Sequence, residues 1–280
     1  MEYIRTLTKE FDVGERCELR VETRSGSTAV RGEHGSRKAR IEVVARLWAD
    51  DDREADEQAD LIGRAIEQQG KRVTVRAPSL LRPRHFLLFS RGPRIDYQIT
   101  APRETSADID SSSGRIEVES IAGPLDIEAR SGRVTLRAIA RDVRVTARSG
   151  AVQAESIGGT LTVEARSGSV RVRECKRDVQ IRTASGSIHA EDASAGLRIA
   201  ARSGSVRYAG DVRGDFDIDV TSGSIRLAVP RDAAFYLDAE SLSGSVRSDL
   251  SMRDGDAKPH EGGPTVRIRT LSGSIQLIPR

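Results

Sequence analysis

One dipeptide sets the terms for this chain. Ser-Gly falls at Ser113, Ser131, Ser149, Ser167, Ser185 and Ser203, five successive intervals of 18 residues, and continues at Ser222, Ser243 and Ser272 with intervals of 19, 21 and 29. An interval that holds to the residue over such a stretch marks stacked structural units. Two residues after each glycine stands Ile116, Val134, Val152, Val170, Ile188, Val206, Ile225, Val246 or Ile275. Half a period later come apolar pairs such as Val143/Val145, Leu161/Val163, Val179/Ile181 and Leu197/Ile199. The residues between are polar, among them Thr135, Arg171, His189, Arg144 and Gln180. Alternation of this kind gives short strands with one face buried and the other in water.

Two folds carry such a pattern, a solenoid of parallel coils and an antiparallel meander. Hairpin loops tolerate insertions, whereas a stacked coil does not, because a one-residue slip turns every side chain over. The constant interval therefore favours an all-β, single-stranded β-helix or solenoid with two short strands per coil of about 18 residues. Apolar pairs recurring at nine residues rather than six favour a flattened coil with two sheets. Glycine suits a corner that needs positive φ, and the serine beside it can pass hydroxyl hydrogen bonds along its column and satisfy corner amides. No base accompanies these serines, so they do not read as nucleophiles.

The repeated Ser-Gly-Ser-Val/Ile unit, the segment RIDYQITAPRETSADIDSSSGRIEV and the N-terminal CELRVETRSGSTAVRG resemble the bacterial DUF4097 β-strand-repeat family, whose members carry the label of candidate adhesins. The resemblance covers most of the chain and is clearest over 95–249. It implies a right-handed, single-stranded β-helix-like fold, and it brings no catalytic residues with it.

Asp50-Asp51-Asp52 opens one expected helix, near 51–69, with Ala55, Ala59, Ile62, Ala65 and Ile66 on its apolar face and Gly70 as its stop. Such a helix is expected to cap the solenoid, whose open ends expose strand edges. The expected organisation is 1–94 for N-terminal strands, helix and an apolar-basic loop, and 95–280 for the repeats, as one continuous domain. Ser272-Gly273-Ser274 leads into Ile275, Leu277 and Ile278, expected to close the stack.

Function is less legible. Lys+Arg is 45 against 42 Asp+Glu, too even to announce a nucleic-acid binder, and aromatics are only 4%, leaving no stacking platforms. His34, His85, His189 and His260 are scattered, and Cys17 and Cys175 fit neither a zinc site nor a disulfide framework. Asp215, Asp217 and Asp219 share one strand face, an arrangement that reads as solvent-facing before it reads as a weak calcium site. The expectation is therefore no enzyme, no cofactor and no metal, and a scaffold or binding module, adhesin-like or associated with the cell envelope. A polysaccharide-acting enzyme and a membrane-surface or regulatory protein are the alternatives. The first residues lack a secretory apolar region, which points to the cytoplasm and leaves envelope association open.

Two candidate surfaces stand out. Arg130, Arg148, Arg166 and, after Ala184, Arg202 precede successive corners. Stacked like charges are unfavourable unless they splay, pair or receive an anion. The column either fans into water beside Glu128 and Glu164 or binds an acidic glycan or other acidic polymer. The segment 78–94 mixes Arg82, Arg84, Phe86, Leu87 and Phe89; it either plugs a gap in the solenoid or touches a partner or membrane surface. Expected partners are thus a protein or acidic polymer rather than nucleic acid, with peripheral membrane contact and self-assembly through the solenoid ends left open. Glu119, Arg137, Glu155, Arg173 and Glu191 alternate in sign at 18-residue steps and are expected to fix register as ion pairs.

Overall fold

The computed structural model describes residues 1–78, 93–193, 195–250 and 263–280, and in them the chain forms one helix and 19 strands. It divides into two compact units, Met1–Leu136 and Arg137–Arg280.

The first unit holds β1 (Glu2–Asp12), β2 (Arg16–Thr23), β3 (Ser27–Glu33), β4 (Lys38–Trp48), α1 (Asp52–Arg64), β5 (Ile66–Gln69), β6 (Arg72–Val75), β7 (Arg94–Pro102) and β8 (Glu104–Glu119), and ends within β9 (Leu125–Ile139). The strands β2 and β3 flank the early corner at Ser25-Gly26 and both pair in parallel with β8, Val21 opposite Ile109 and Val30 opposite Val118. On their other side β2 pairs in parallel with β6 and β3 with β7; beyond these pairing turns antiparallel, β1 with β4, β4 with β7 and β5 with β6.

Helix α1 starts where its acidic run places it. The Asp51 carboxylate accepts from the Glu54 amide at 2.8 Å, and Glu54 accepts from the Asp50 amide at 2.8 Å, closing a reciprocal cap. Ala55 and Ile62 are buried, and Arg5 of β1 bonds Asp52 and Asp56 at 2.6 and 2.7 Å. The helix ends at Arg64 rather than running to 69. Ile66 instead enters β5, opposite Val75, and Gly70, in the left-handed region at φ +60°, turns the β5–β6 hairpin. A strand partner nine residues on outweighs continued helix, because it buries Ile66 against β6.

The second unit is the stack. It comprises β10 (Val143–Ile157), β11 (Leu161–Cys175), β12 (Val179–Ala193), β13 (Leu197–Ala209), β14 (Phe216–Ser222), β15 (Ile225–Val229), β16 (Tyr236–Ser243), β17 (Val246–Ser248), β18 (Thr265–Ser272) and β19 (Ile275–Pro279). Pairing is parallel with an 18-residue offset: Val143, Leu161, Val179 and Leu197 lie side by side, as do Ser149, Ser167, Ser185 and Ser203. Each coil has a first arm before its Ser-Gly corner and a second arm after it. Val145, Val163, Ile181, Ile199, Ile218 and Ile268 fill one inner column, and Val152, Val170, Ile188, Val206, Ile225 and Ile275 another, all buried. Each such side chain contributes roughly 1.5–3 kcal/mol on leaving water, which is how a chain so poor in aromatics builds a core.

The corner demands glycine for two reasons. Gly186 sits at φ +137°, and a Cβ there would fall on the Gly168 carbonyl oxygen of the preceding coil. The serines act otherwise than as a hydroxyl chain. Ser131 Oγ donates to the Ser112 carbonyl at 3.2 Å within the first unit, and Ser203 Oγ to the Ala184 carbonyl at 3.5 Å within the second, so each hydroxyl ties its coil to the backbone of its neighbour. A second corner does without glycine over five coils: Ser120, Ala138, Ser156, Glu174 and Asp192 all have φ between +50° and +61°, spaced 18 residues apart, and only the sixth position, Gly210 at φ +143°, is glycine.

The stacking order departs from the chain order. The C-terminal strands β18 and β19 pair with β14 and β15 on one side and with β16 and β17 on the other. Among the described residues of the second unit, the last coil in sequence is therefore the last but one in space, and β16–β17 lies outermost. Ile275 and Leu277 are fully buried inside the stack rather than closing it.

Candidate functional site

Outward side chains of stacked coils form columns, and the columns are where ligands could be met. In the second unit the alternating column makes ion pairs: Arg137 Nε lies 3.7 Å from Glu155, and Arg173 Nε 2.8 Å from Glu191. The hydrogen bond from Arg173, aided by its charge and that of His189 and opposed by partial burial, holds the Glu191 carboxyl below its usual range. His189 Nε2 also reaches Glu191 at 2.9 Å.

The expected arginine column is exposed at Arg130, Arg148, Arg166 and Arg202. Glu164 does not serve it: that carboxylate is shared by Arg144 at 3.5 Å and Arg182 at 3.8 Å. Arg148, Arg166 and Arg202 make no side-chain ion pair with the described residues. Residues Arg82, Arg84, Phe86, Leu87 and Phe89 lie outside the described residues.

A second basic column went unread in the sequence. On the second arm, Gln153, Arg171, His189, Arg207, Arg226, Gln276 and Arg247 occupy one outward register across successive coils. Arg171, Arg207, Arg226 and Arg247 are exposed and make no side-chain ion pair with the described residues. Glu191 next to it is engaged by Arg173 and His189. Beside Arg207 and Arg226 the flanking residues are Ala209 and Ala228 on one side and Ser205 and Ser224 on the other. Two guanidinium groups on adjacent strands, about 4.8 Å apart in backbone spacing, thus share a strip with hydroxyls, and the carboxylate that borders it, Glu191 opposite Ala209, is engaged by Arg173 and His189. Guanidinium and hydroxyl donors suit carboxylate, sulfate or phosphate oxygens. The signal was present in sequence as the position three after each corner glycine, but the intervals of 19, 21 and 29 broke the column before it became conspicuous.

Other candidate residues among those described sit in structural surroundings. Among the described residues no group of three or more His, Cys, Asp or Glu is placed to hold a metal. Asp215 caps the Thr265 amide at 2.8 Å, and Asp217 faces Arg198 at 3.8 Å, so two of the three strand carboxylates have structural partners. Cys17 and Cys175 are buried, free thiols; burial pushes them up to about 11 and about 12. Cys175 lies between Ile157 and Ala193 in a buried apolar column. A pocket of about 250 Å³ in the first unit is lined by Arg24, Ser25, Ala77, Pro78, Pro93, Ile95 and Tyr97, with no carboxylate pair. No helix among the described residues is long and apolar enough to cross a membrane.

Parallel coils, glycine corners and outward charge columns define a β-solenoid repeat protein. The chain belongs to the Toastrack DUF4097 family, whose family model matches residues 64–277. No curated protein matches it. Among solved structures it is similar to a candidate cell adhesion protein from Clostridium sporogenes, at 11% identity and TM-score 0.26 over 99% of this chain and 100% of that one. It is similar also to candidate adhesins from Bacteroides fragilis, at 11% identity and TM-score 0.42 over 98% and 97%, and from Parabacteroides distasonis, at 12% identity and TM-score 0.31 over 98% and 97%.

Proposed function

We propose that this protein is a non-catalytic, adhesin-like binding module whose ligand is an acidic polymer, a glycan bearing carboxylate or sulfate groups, laid across the coils. The observation that carries the reading is the direct stacking of Arg207 on Arg226 with alanines in place of acidic neighbours. Self-repulsion of that kind is costly to a fold and is relieved when a polyanion bridges the pair. Arg148, Arg166 and Arg202 supply a second strip of the same chemistry on the first arm. A polymer with regularly spaced charges gains from several modest contacts at once.

The test is binding of polygalacturonate and a sulfated glycan to the full chain by calorimetry at two salt concentrations. Arg207→Ala/Arg226→Ala is expected to lower affinity about tenfold, the loss of a single charge-assisted contact's worth of energy or more. Arg148→Ala/Arg166→Ala reports on the other strip. Affinity that is unchanged in both double variants, or indifferent to salt, sinks the proposal.

A further inference from the structure

Among the described residues, the outermost coil of the second unit has one neighbour only: β16 pairs with β18, and β17 with β19. Its exposure differs from every coil beneath it. Tyr236, Leu237 and Ala239 are half-buried, Val246 is 43% exposed and Leu242 80%, whereas Val266, Ile268, Ile275 and Leu277 in the adjoining coil are buried. The free side also offers backbone groups. The Tyr236 amide donates to the Pro264 carbonyl at 2.8 Å. Alternation along a strand then turns the Leu237 and Ala239 amides the other way, off the stack. Neither proline nor lysine guards this edge, the usual protections of an exposed strand.

The charge pattern says what would fit there. Across the first arms one column reads Arg198, Asp217, Arg267, Asp238, and the next reads Asp219, Arg269, Glu240. Sign alternates at each step, with Arg198 3.8 Å from Asp217, Arg267 3.3 Å from Asp238 and Arg269 3.8 Å from Glu240. Both columns end on a carboxylate. A second copy joined edge to edge about a two-fold axis would bring Asp238 and Glu240 against the same residues of its mate, like charge on like. We propose that the β16–β17 edge is a docking site for an extended strand of another protein in which apolar residues alternate with arginine or lysine. The apolar side chains would cover Leu237, Ala239 and Val246, the basic ones would continue the alternation over Asp238 and Glu240, and the Leu237 and Ala239 amides would join the ladder.

A probe exists in the chain itself, because Val266-Arg267-Ile268-Arg269 already meets β16 from its inner side. A fluorescent peptide of the sequence 264–280 is titrated against the full-length protein by anisotropy. Saturable binding is expected, weakened about tenfold or more when the peptide carries Glu at both arginine positions. Ala239→Pro removes an amide that the fold does not use, so it should abolish binding while leaving the melting temperature in place; Asp238→Asn/Glu240→Gln should weaken binding and its salt dependence. Equal binding to Ala239→Pro would mean the peptide exchanges with the internal strand, and overturns the proposal. It is overturned as well if the peptide does not bind, if it binds only once residues 251–262 are removed, or if sedimentation shows a dimer that Ala239→Pro dissolves.

Discussion

Replacing Gly186 by alanine puts the stacked-coil geometry under direct load. Two costs arise, and a second glycine separates them. Gly186 sits at φ +137°, where an L-residue is strained, and its new Cβ would land on the Gly168 carbonyl oxygen, 2.8 Å from that carbonyl carbon and 3.1 Å from the Gly168 nitrogen. The obstacle is backbone, so no side chain can swing aside. Gly14 also has positive φ, +69°, but a Cβ there meets nothing within 4 Å. Gly14→Ala should therefore cost only backbone strain, about 1–2 kcal/mol. Gly186→Ala adds the parting of two coils, with loss of ladder hydrogen bonds at about 1 kcal/mol each and of apolar contact above and below, for a total of about 4 kcal/mol or more. In a chain of this size that is a fall of about 10 °C in melting temperature against a few degrees for Gly14→Ala. Urea unfolding followed by circular dichroism gives the difference, and hydrogen exchange shows whether the loss centres on β11–β13. Equal destabilisation by the two substitutions would refute the close approach of successive corners.

Two further outcomes follow from particular side chains. Burial pushes the Asp96 carboxyl up, but bonds from the Ser27 hydroxyl and amide, each 2.7 Å, together with Arg94 outweigh it and leave the group below its usual range. A carboxylate depressed on folding contributes stability above its unfolded value and loses it as pH falls through the folded one; Asp96→Asn should thus cost about 2 kcal/mol at neutral pH and flatten the acid limb of the stability profile, read from urea midpoints between pH 7 and pH 3. Ala138 holds a left-handed φ of +54° with a side chain that gains nothing from it, so Ala138→Gly should raise stability by about 0.5–1 kcal/mol in the same unfolding assay, whereas Gly at an extended position such as Thr146 should lower it.

The repeat made the register legible. An interval constant to the residue placed Val143 beside Leu161, Cys175 beside Ile157 and Arg173 beside Glu191, since parallel stacking turns sequence spacing into spatial adjacency. The second corner was not legible, because its left-handed position is filled by serine, alanine, glutamate and aspartate in turn and no residue type announces it. The helix end was misread because Gly70 is as good a hairpin residue as a helix stop, and only the pairing of Ile66 with Val75 decides between them. The basic column from Arg171 to Arg247 was hidden for a related reason. Past Arg207 the spacing changes, and its last members meet through Gln276, which belongs to a coil nearly thirty residues further along the chain.

The same displaced coil explains why the stack is ordered against the chain. Residues 236–248 could in principle have settled directly on β14 and β15, their predecessors in sequence. Asp238 would then face Asp217 and Glu240 would face Asp219, since both pairs share a register position with Arg267 and Arg269. Placing β18 between them replaces both repulsions with attractions, and Arg269 reaches Asp238 and Glu240 at 4.0 and 3.8 Å. Each exposed pair is worth only about 0.2–1 kcal/mol, yet the choice of order depends on the difference between attraction and repulsion summed over both columns. The core agrees with the charges. Val266 and Ile268 are bulky and wholly buried in the inner slot, whereas Leu237 and Ala239 expose less apolar surface at the end than that pair would. Charge and packing thus favour the same arrangement, and such agreement between independent interactions is what selects one stacking among several of similar backbone geometry.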